Sequence, residues 1–318
     1  MTFASTELQV ADTLRHLALN EEVKAYVLEN PPLYQVLLLA AMRFIGGETL
    51  MQCEKVARAL NVQGFAVTID YMGESTRDAE MAKQATQEFL EVVKTIANQK
   101  LNASLSLDLS HIGMAIDPDL AYTNACILAQ AAQNAEIEIM ISMEGSDRTT
   151  MILKIHEKLC EHFENVGITL QAYLYRTPND LAEALQRPGK IRLVKGAYSA
   201  PTDVAKPRGK ELDNAYKEFL EILLRSRHSC SIATHDMTML NHAKSFIEAE
   251  KIEPNQVEFE MLKGVTLERL QLMRDFGHCT RVYLPYGREW YLYLCNRLAE
   301  HPLNLYQAVL DSAGFSFS

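Results

Sequence analysis

The sequence predicts an α/β fold, a distorted (β/α)8 TIM-like barrel with an N-terminal helical arm. Three observations carry that expectation. From residue 65 onward, eight short stretches rich in apolar residues follow one another, each with a helical pattern after it. Strands that alternate with helices form parallel sheets, and eight repeats are the number that closes a barrel. No GxGxxG follows any of these strands, so the signature of a doubly wound dinucleotide fold, the competing architecture, is missing. The residues before 63 read as helices and turns. The chain is therefore expected to divide into an arm, 1–62, and a barrel, 63–318.

In the arm, helical periodicity covers 6–18 and 20–29, and a third helix follows Pro31-Pro32, where proline suits a first turn. Leu33 to Ile45 is strongly apolar, but it is too short to span a bilayer and Arg43 interrupts it, so it reads as a core or docking helix. A turn over 43–49 leads into a helix at 49–60. The expected strands are 65–70, 103–109, 137–143, 168–173, 191–196, 229–234, 256–260 and 280–284. The expected helices between them are 76–98, 119–133, 146–163, 178–186, 209–226, 237–249 and 266–275, with a last one at 288–300.

Composition narrows the function. The net charge is −10, and no basic run is long enough to track a phosphate backbone, so nucleic acid is not an expected partner. The six cysteines lack CxxC pairing, which fits reduced thiols in a cytoplasmic protein. The start of the chain lacks the basic segment and apolar run of a signal peptide. Without an HxH or HExxH pair, no metal site is expected.

Ile191 to Tyr198 stands out. It reads as a buried strand holding two cations and closed by glycine. Alternation puts Arg192 on one face and Lys195 on the other. Buried charge is costly unless it meets an opposite charge or an anionic ligand. An electron-rich ligand over the strand's carboxyl end is one explanation, and two snorkelling cations on an edge strand are the other.

Barrel chemistry sits at the carboxyl ends of strands. The polar residues there are Asp70 and Glu74; Asp108, Ser110 and His111; Ser142 and Glu144; Gln171, Tyr173 and Arg176; Arg192 and Lys195; Thr234, His235 and Asp236; Glu258 and Glu260; and Tyr283, with Arg297 and Glu300 on the helix after it. Helix capping is the competing explanation for Asp236, Glu74 and Ser146, and a structural hydrogen bond for His235.

Four groups of residues together resemble the proline dehydrogenase family in its monofunctional form. They are Arg192-Leu-Val-Lys195-Gly-Ala-Tyr198, Ala233-Thr-His-Asp236, Thr169-Leu-Gln171-Ala-Tyr, and Tyr283-Leu-Pro-Tyr-Gly287 with Arg297-Leu-Ala-Glu300. The resemblance runs from about Arg43 to the C-terminus. It implies a distorted barrel holding FAD, oxidation of the carbon beside proline's ring nitrogen, and electron transfer to a quinone. It also implies FAD contacts at Gln171, Arg192, Lys195, Gly196, Ala197, Tyr198, Thr234 and His235. In this light, fixed positive charge at Arg192 and Lys195 would stabilise the anionic reduced flavin.

The substrate side departs from the family. The lysine of the family's V-K-L-T-x-L-G motif is Asp108 here, and the first arginine of its Arg-Arg pair is Asn296. Its D-M-E motif is Ser142-Met143-Glu144, and its E-F-Q is Glu258-Phe259-Glu260. Two of the three cations that the family uses to grip a carboxylate are gone, while Tyr283, Arg297 and Glu300 are kept. The expected catalytic set is Asp108, Tyr283, Arg297, Glu300, Asn296 and Ser142. The favoured expectation is FAD-dependent oxidation of a proline-like cyclic amine or imino acid, its carboxyl masked or carrier-tethered, with a quinone or other electron acceptor. The alternatives are an ordinary proline dehydrogenase that forms pyrroline-5-carboxylate with weakened carboxylate binding, and a non-catalytic flavin binder. The expected location is cytoplasmic, with at most weak peripheral contact at the inner membrane.

Overall fold

The computed structural model describes residues 3–300 together with 306, 308 and 310; the remainder of the expected barrel unit beyond 300 lies outside the described residues. Four helices open the chain: α1 (Phe3–Ala18), α2 (Glu21–Glu29), α3 (Pro31–Met42) and α4 (Leu50–Val62). Eight strands and their helices follow. They are β1 (Ala66–Tyr71), α5 (Ala79–Asn98), β2 (Ala103–Leu107), α6 (Pro118–Asn134), β3 (Ile139–Ile141), α7 (Thr149–Cys160), β4 (Val166–Gln171), α8 (Thr177–Ala184), β5 (Ile191–Val194), α9 (Lys210–Ser226), β6 (Cys230–Ala233), α10 (Met237–Ala249), β7 (Glu258–Leu262), α11 (Leu267–Asp275), β8 (Cys279–Tyr286) and α12 (Trp290–Glu300).

The strands form a closed barrel in chain order, with every neighbouring pair parallel and β8 pairing with β1. Closure excludes the open doubly wound sheet. Several strands are shorter than their apolar runs. β3 keeps only Ile139–Ile141, because its register against β2 pairs just Leu105↔Ile139 through Leu107↔Ile141. β2 stops at Leu107, so Asp108 leaves the ladder and enters a tight turn over 108–114.

Two apolar clusters organise the packing. The larger joins the inner faces of the barrel helices to the sheet and includes Cys53, Ala57 and Leu60 of α4, which lies against β1 and β8. The smaller joins α1, α2 and α3 to Trp290, Tyr291, Leu294 and Leu298 of α12. The expected boundary at 62/63 therefore cuts across the packing. The helix before the first strand covers the barrel wall, and the helix after the last strand joins the arm. Lys263, in the loop after β7, fastens the arm by donating to the carbonyls of Met42 and Arg43 at 2.8 Å each.

The barrel interior is polar. Arg281 donates to Glu258 at 2.9 Å, and Lys190 joins the same carboxylate at 3.2 Å. One layer higher, Glu260 accepts from Arg192, from Thr68 at 2.8 Å and from Ser231 at 3.0 Å. These charges tolerate burial because each has an opposite partner and further hydrogen bonds.

Candidate active site

Three loops are laced together at the carboxyl end of β1, β2 and β3. Glu144, almost fully buried, accepts the Ser110 N–H at 3.0 Å and pairs with Arg148 at 2.5 Å. Arg148 also donates to Ser75 Oγ at 2.8 Å, and the Ser75 N–H donates to Ser110 Oγ at 2.9 Å. His111 stacks on Tyr71 with ring centroids 5.1 Å apart. Gly73 is required beside it, since a Cβ there would meet the imidazole at 2.2 Å. Glu74 and Ser146 are not caps; Asp78 caps α5, and Arg148 starts α7 without a side-chain bond.

Asp108 sits among these loops. Its carboxyl is pushed well above the ordinary carboxylate range by burial and by the charges of Glu144, Asp70 and Glu74, while a hydrogen bond from Ser142 opposes the shift. Ser142 Oγ lies 3.2 Å from Ser106 Oγ. Asp70 is raised to about 6 by burial, against a hydrogen bond from Tyr283 and attraction from Arg192. Among the described residues, no ion pair joins Asp108 to a cation. Arg176 is bound to Asp180 at 2.7 Å. Lys195 bridges Asp213 at 2.5 Å and Asp236 at 2.7 Å, and Asp236 also caps α10.

The two cations of β5 lie on opposite faces, as alternation requires. Arg192 points inward, donates to Glu260 from Nε at 2.8 Å and from Nη2 at 3.0 Å, and lies 5.2 Å from the Tyr283 ring centre. Lys195 points outward into its two aspartates. Each cation thus meets the opposite charge that burial calls for, Arg192 in Glu260 and Lys195 in Asp213 and Asp236.

The chain turns sharply after β5. Gly196 adopts φ +111°, and a Cβ there would strike the Tyr173 ring at 2.3 Å. Ala197 and Tyr198 are exposed, and the Tyr198 hydroxyl feels the charges of Asp108, Glu74, Glu144 and Asp70. The buried Gln171 amide donates to the Glu144 carbonyl at 3.0 Å. Thr234 Oγ1 accepts the Asp236 N–H at 3.1 Å. His235 is held neutral, its pKa lowered to about 4 by burial and by Arg297 and Arg269, and its Nε2 accepts the Leu262 N–H at 3.3 Å.

α12 brings the last expected residues to the same end. Arg297 pairs with Glu300 at 2.6 Å and lies 5.0 Å from the Tyr293 ring centre. Asn296 is half-buried beside it. Charge coupling links Tyr293 to Asp70 and links Tyr283 to Asp70, Asp108 and Tyr293. All six expected catalytic residues thus lie at one end of the barrel.

The end is suited to a polar aromatic ligand such as a flavin. Among the described residues, the buried hydroxyls of Tyr173 and Tyr293 have no hydrogen-bond partner. An unmade bond of this kind costs about 1–3 kcal/mol. A ligand that accepts or donates at both sites would remove that cost. Among the described residues, no group of three His, Cys, Asp or Glu side chains is arranged to hold a metal.

Sequence reasoning left Asp70, Glu74 and Glu144 as strand-end polar groups without roles, and it overlooked Tyr293. Tyr293 precedes Arg297 by four residues on a helix, a spacing that puts both on one face. Nothing local marks Glu260 as the partner of Arg192.

Comparison with known proteins adds to this geometry. A family profile described as "Proline dehydrogenase" matches residues 53–305. "Proline dehydrogenase 2" of Bacillus subtilis is 38% identical over 268 residues, covering 84% of this chain and 88% of that protein. "Proline dehydrogenase" of Deinococcus radiodurans is 32% identical over 269 residues, covering 83% and 87%. Among solved structures, proline utilization A from Bdellovibrio bacteriovorus, inactivated by N-propargylglycine, superposes with a TM-score of 0.80 at 20% identity. It covers 94% of this chain, which spans 37% of that longer protein, and the likeness is one of fold.

Proposed function

The chain belongs to the proline dehydrogenase family, and from that membership we propose that it oxidises the ring C–N bond of proline or a proline-like cyclic amine. Homologues in the family are oxidoreductases acting on CH–NH groups. The observation that carries the proposal is the convergence of Asp70, Asp108, Tyr283 and Arg297 with the β4–β6 ends at one barrel mouth.

Bound flavin would supply the hydride acceptor and pass the electrons to a quinone-type partner. Gln171, Gly196, Ala197, Tyr198, Thr234 and His235 are the residues that would hold it. Tyr283, braced by Arg192 beneath its ring, packs over the substrate ring. Asp70 places negative charge at the mouth and attracts the ring ammonium. Arg297 anchors a polar substituent, with Glu300 fixing its direction. The ammonium must lose its proton before hydride leaves, so turnover rises with pH until the amine is neutral.

The finer proposal concerns the substituent. Acids surround the position where the family places a lysine, and Arg297 is already paired. This favours a carboxyl masked as an amide, ester or carrier thioester over free proline. The test is a matched series of proline, prolinamide, proline methyl ester and 2-(aminomethyl)pyrrolidine, followed by anaerobic flavin bleaching. Bleaching by none of them would remove the enzymatic function. Bleaching fastest with proline would remove only the masked substituent. No described helix is long and apolar enough to cross a membrane.

A further inference from the structure

The segment between the arm and α4, residues 43–49, is tied to the barrel at β8. The Gly46 N–H donates to the Pro285 carbonyl at 2.7 Å, and the Gly287 N–H donates to the Gly47 carbonyl at 3.0 Å. The next residue, Glu48, is anchored to α4, where its N–H donates to Gln52 Oε1 at 2.8 Å. Its carboxylate reaches two other elements. Glu48 Oε1 accepts the hydroxyl of Tyr34 on α3, and it accepts the indole N–H of Trp290 on α12 at 3.4 Å. The same indole N–H meets the Tyr34 hydroxyl oxygen at 3.3 Å, and the two rings stand edge to face with centroids 5.1 Å apart. Glu48, Tyr34 and Trp290 thus close a triangle that joins the barrel, the arm and α12.

Trp290 is fully buried. A buried indole needs an acceptor for its one N–H, and here both acceptors lie on other elements. The bond therefore opposes any rotation of α12 about its own axis. At 3.6 residues per turn, Arg297 lies about 20° from Trp290 around the helix and about 10 Å along it, and Tyr293 and Glu300 fall within about 80°. The side of α12 that Trp290 anchors is thus the side that carries these three residues to the mouth. A turn of about 10° moves a side-chain tip about 6 Å from the axis by about 1 Å. A misplacement of that size costs about a hundredfold in rate.

We propose that Glu48 is a positioning residue: by clamping Tyr34 and Trp290 it sets the rotation of α12, and so the aim of Arg297 at the barrel mouth. One oxygen, Oε1, accepts both donors, so the clamp needs an acceptor and not a charge. The proposal rests on the proposed function only in its kinetic consequence.

The test uses Glu48→Ala, Glu48→Gln and Tyr34→Phe in the full chain. The sequence contains one tryptophan, so the indole N–H resonance in a proton–nitrogen NMR spectrum belongs to Trp290. It is expected to move upfield in Glu48→Ala and Tyr34→Phe and to stay near its wild-type position in Glu48→Gln. With the ring amine that bleaches the flavin fastest, Glu48→Ala should raise KM about tenfold or more and change kcat less, and Glu48→Gln should restore KM. A purely structural contact would lower the melting temperature and leave KM alone. That result, or a Glu48→Gln that behaves like Glu48→Ala, overturns the proposal. Should Glu48→Ala fail to fold, Tyr34→Phe, which loses a hydroxyl and keeps its ring, supplies the same readings. Should no amine bleach the flavin, the proposed function fails, and hydrogen exchange decides the clamp. Faster exchange in Glu48→Ala confined to the α12 amides supports it, and unchanged or barrel-wide exchange overturns it.

Discussion

Arg192 and Glu260, 68 residues apart in sequence, meet inside the barrel through two hydrogen bonds of 2.8 and 3.0 Å. The pair lies beneath Tyr283 and beside Asp70, so it sets the potential under the proposed site. A glutamate here cancels a charge that would otherwise favour an anionic ligand above it.

Glu260→Gln keeps an acceptor for Arg192 but removes the neutralising charge. The flavin reduction potential is expected to rise in this variant and to fall in Arg192→Ala, which leaves Glu260 unpaired. Dye-equilibrated reductive titration reads both signs. Arg192→Ala should also cost about 3–5 kcal/mol in denaturant unfolding, because it strands a buried carboxylate. Equal potentials in the two variants would contradict the pairing.

Lys195 is tied to Asp213 and Asp236, all three partly exposed. Lys195→Ala should therefore cost only about 1 kcal/mol of stability. Its larger effect should be on flavin uptake, because the bridge holds the turn that carries Gly196 to Tyr198. The wild type is expected to purify yellow or to take up FAD stoichiometrically by calorimetry. A colourless protein that ignores added FAD would exclude the flavin enzyme.

Free proline should be a poor substrate. Each charge-assisted hydrogen bond lost from its carboxylate is worth about 1.5–3 kcal/mol, so two losses amount to roughly a thousandfold in kcat/KM. Asp108→Lys with Asn296→Arg should recover part of that, and more than the two single changes combined, since both side chains would bind one group. Wild-type efficiency on proline equal to that of the double variant would refute this.

His156 gives a stability prediction away from the site. Burial lowers its pKa from 6.5 to about 4, so the unfolded chain binds the proton more readily than the folded one. Its neutral state is compatible with full stability above about pH 6.5, and stability falls as pH drops from there toward 4. The loss amounts to about 3 kcal/mol at the acid limit. His156→Gln should flatten that part of the stability profile, measured by urea unfolding between pH 4 and 7.

By itself the sequence determined the barrel, the arm and the placement of nearly every element, because hydropathic period and strand–helix alternation are local properties. α10 occupies the expected residues, and strand alternation already separated Arg192 from Lys195. It also placed the candidate polar residues at the strand ends, where barrel chemistry lies. Tertiary structure alone decided which charges meet. Arg192 finds Glu260 only when the barrel closes, and Lys195 finds Asp213 and Asp236 only when α9 and α10 pack beside β5. The exchange of wall helix between α4 and α12 likewise depends on which apolar face fits which neighbour, and nearness in sequence does not dictate it. Asp108 is the clearest case. An aspartate in a sequence reads as an ordinary negative charge, but burial and the charges of Glu144, Asp70 and Glu74, brought near it by the fold, push its carboxyl above the ordinary carboxylate range.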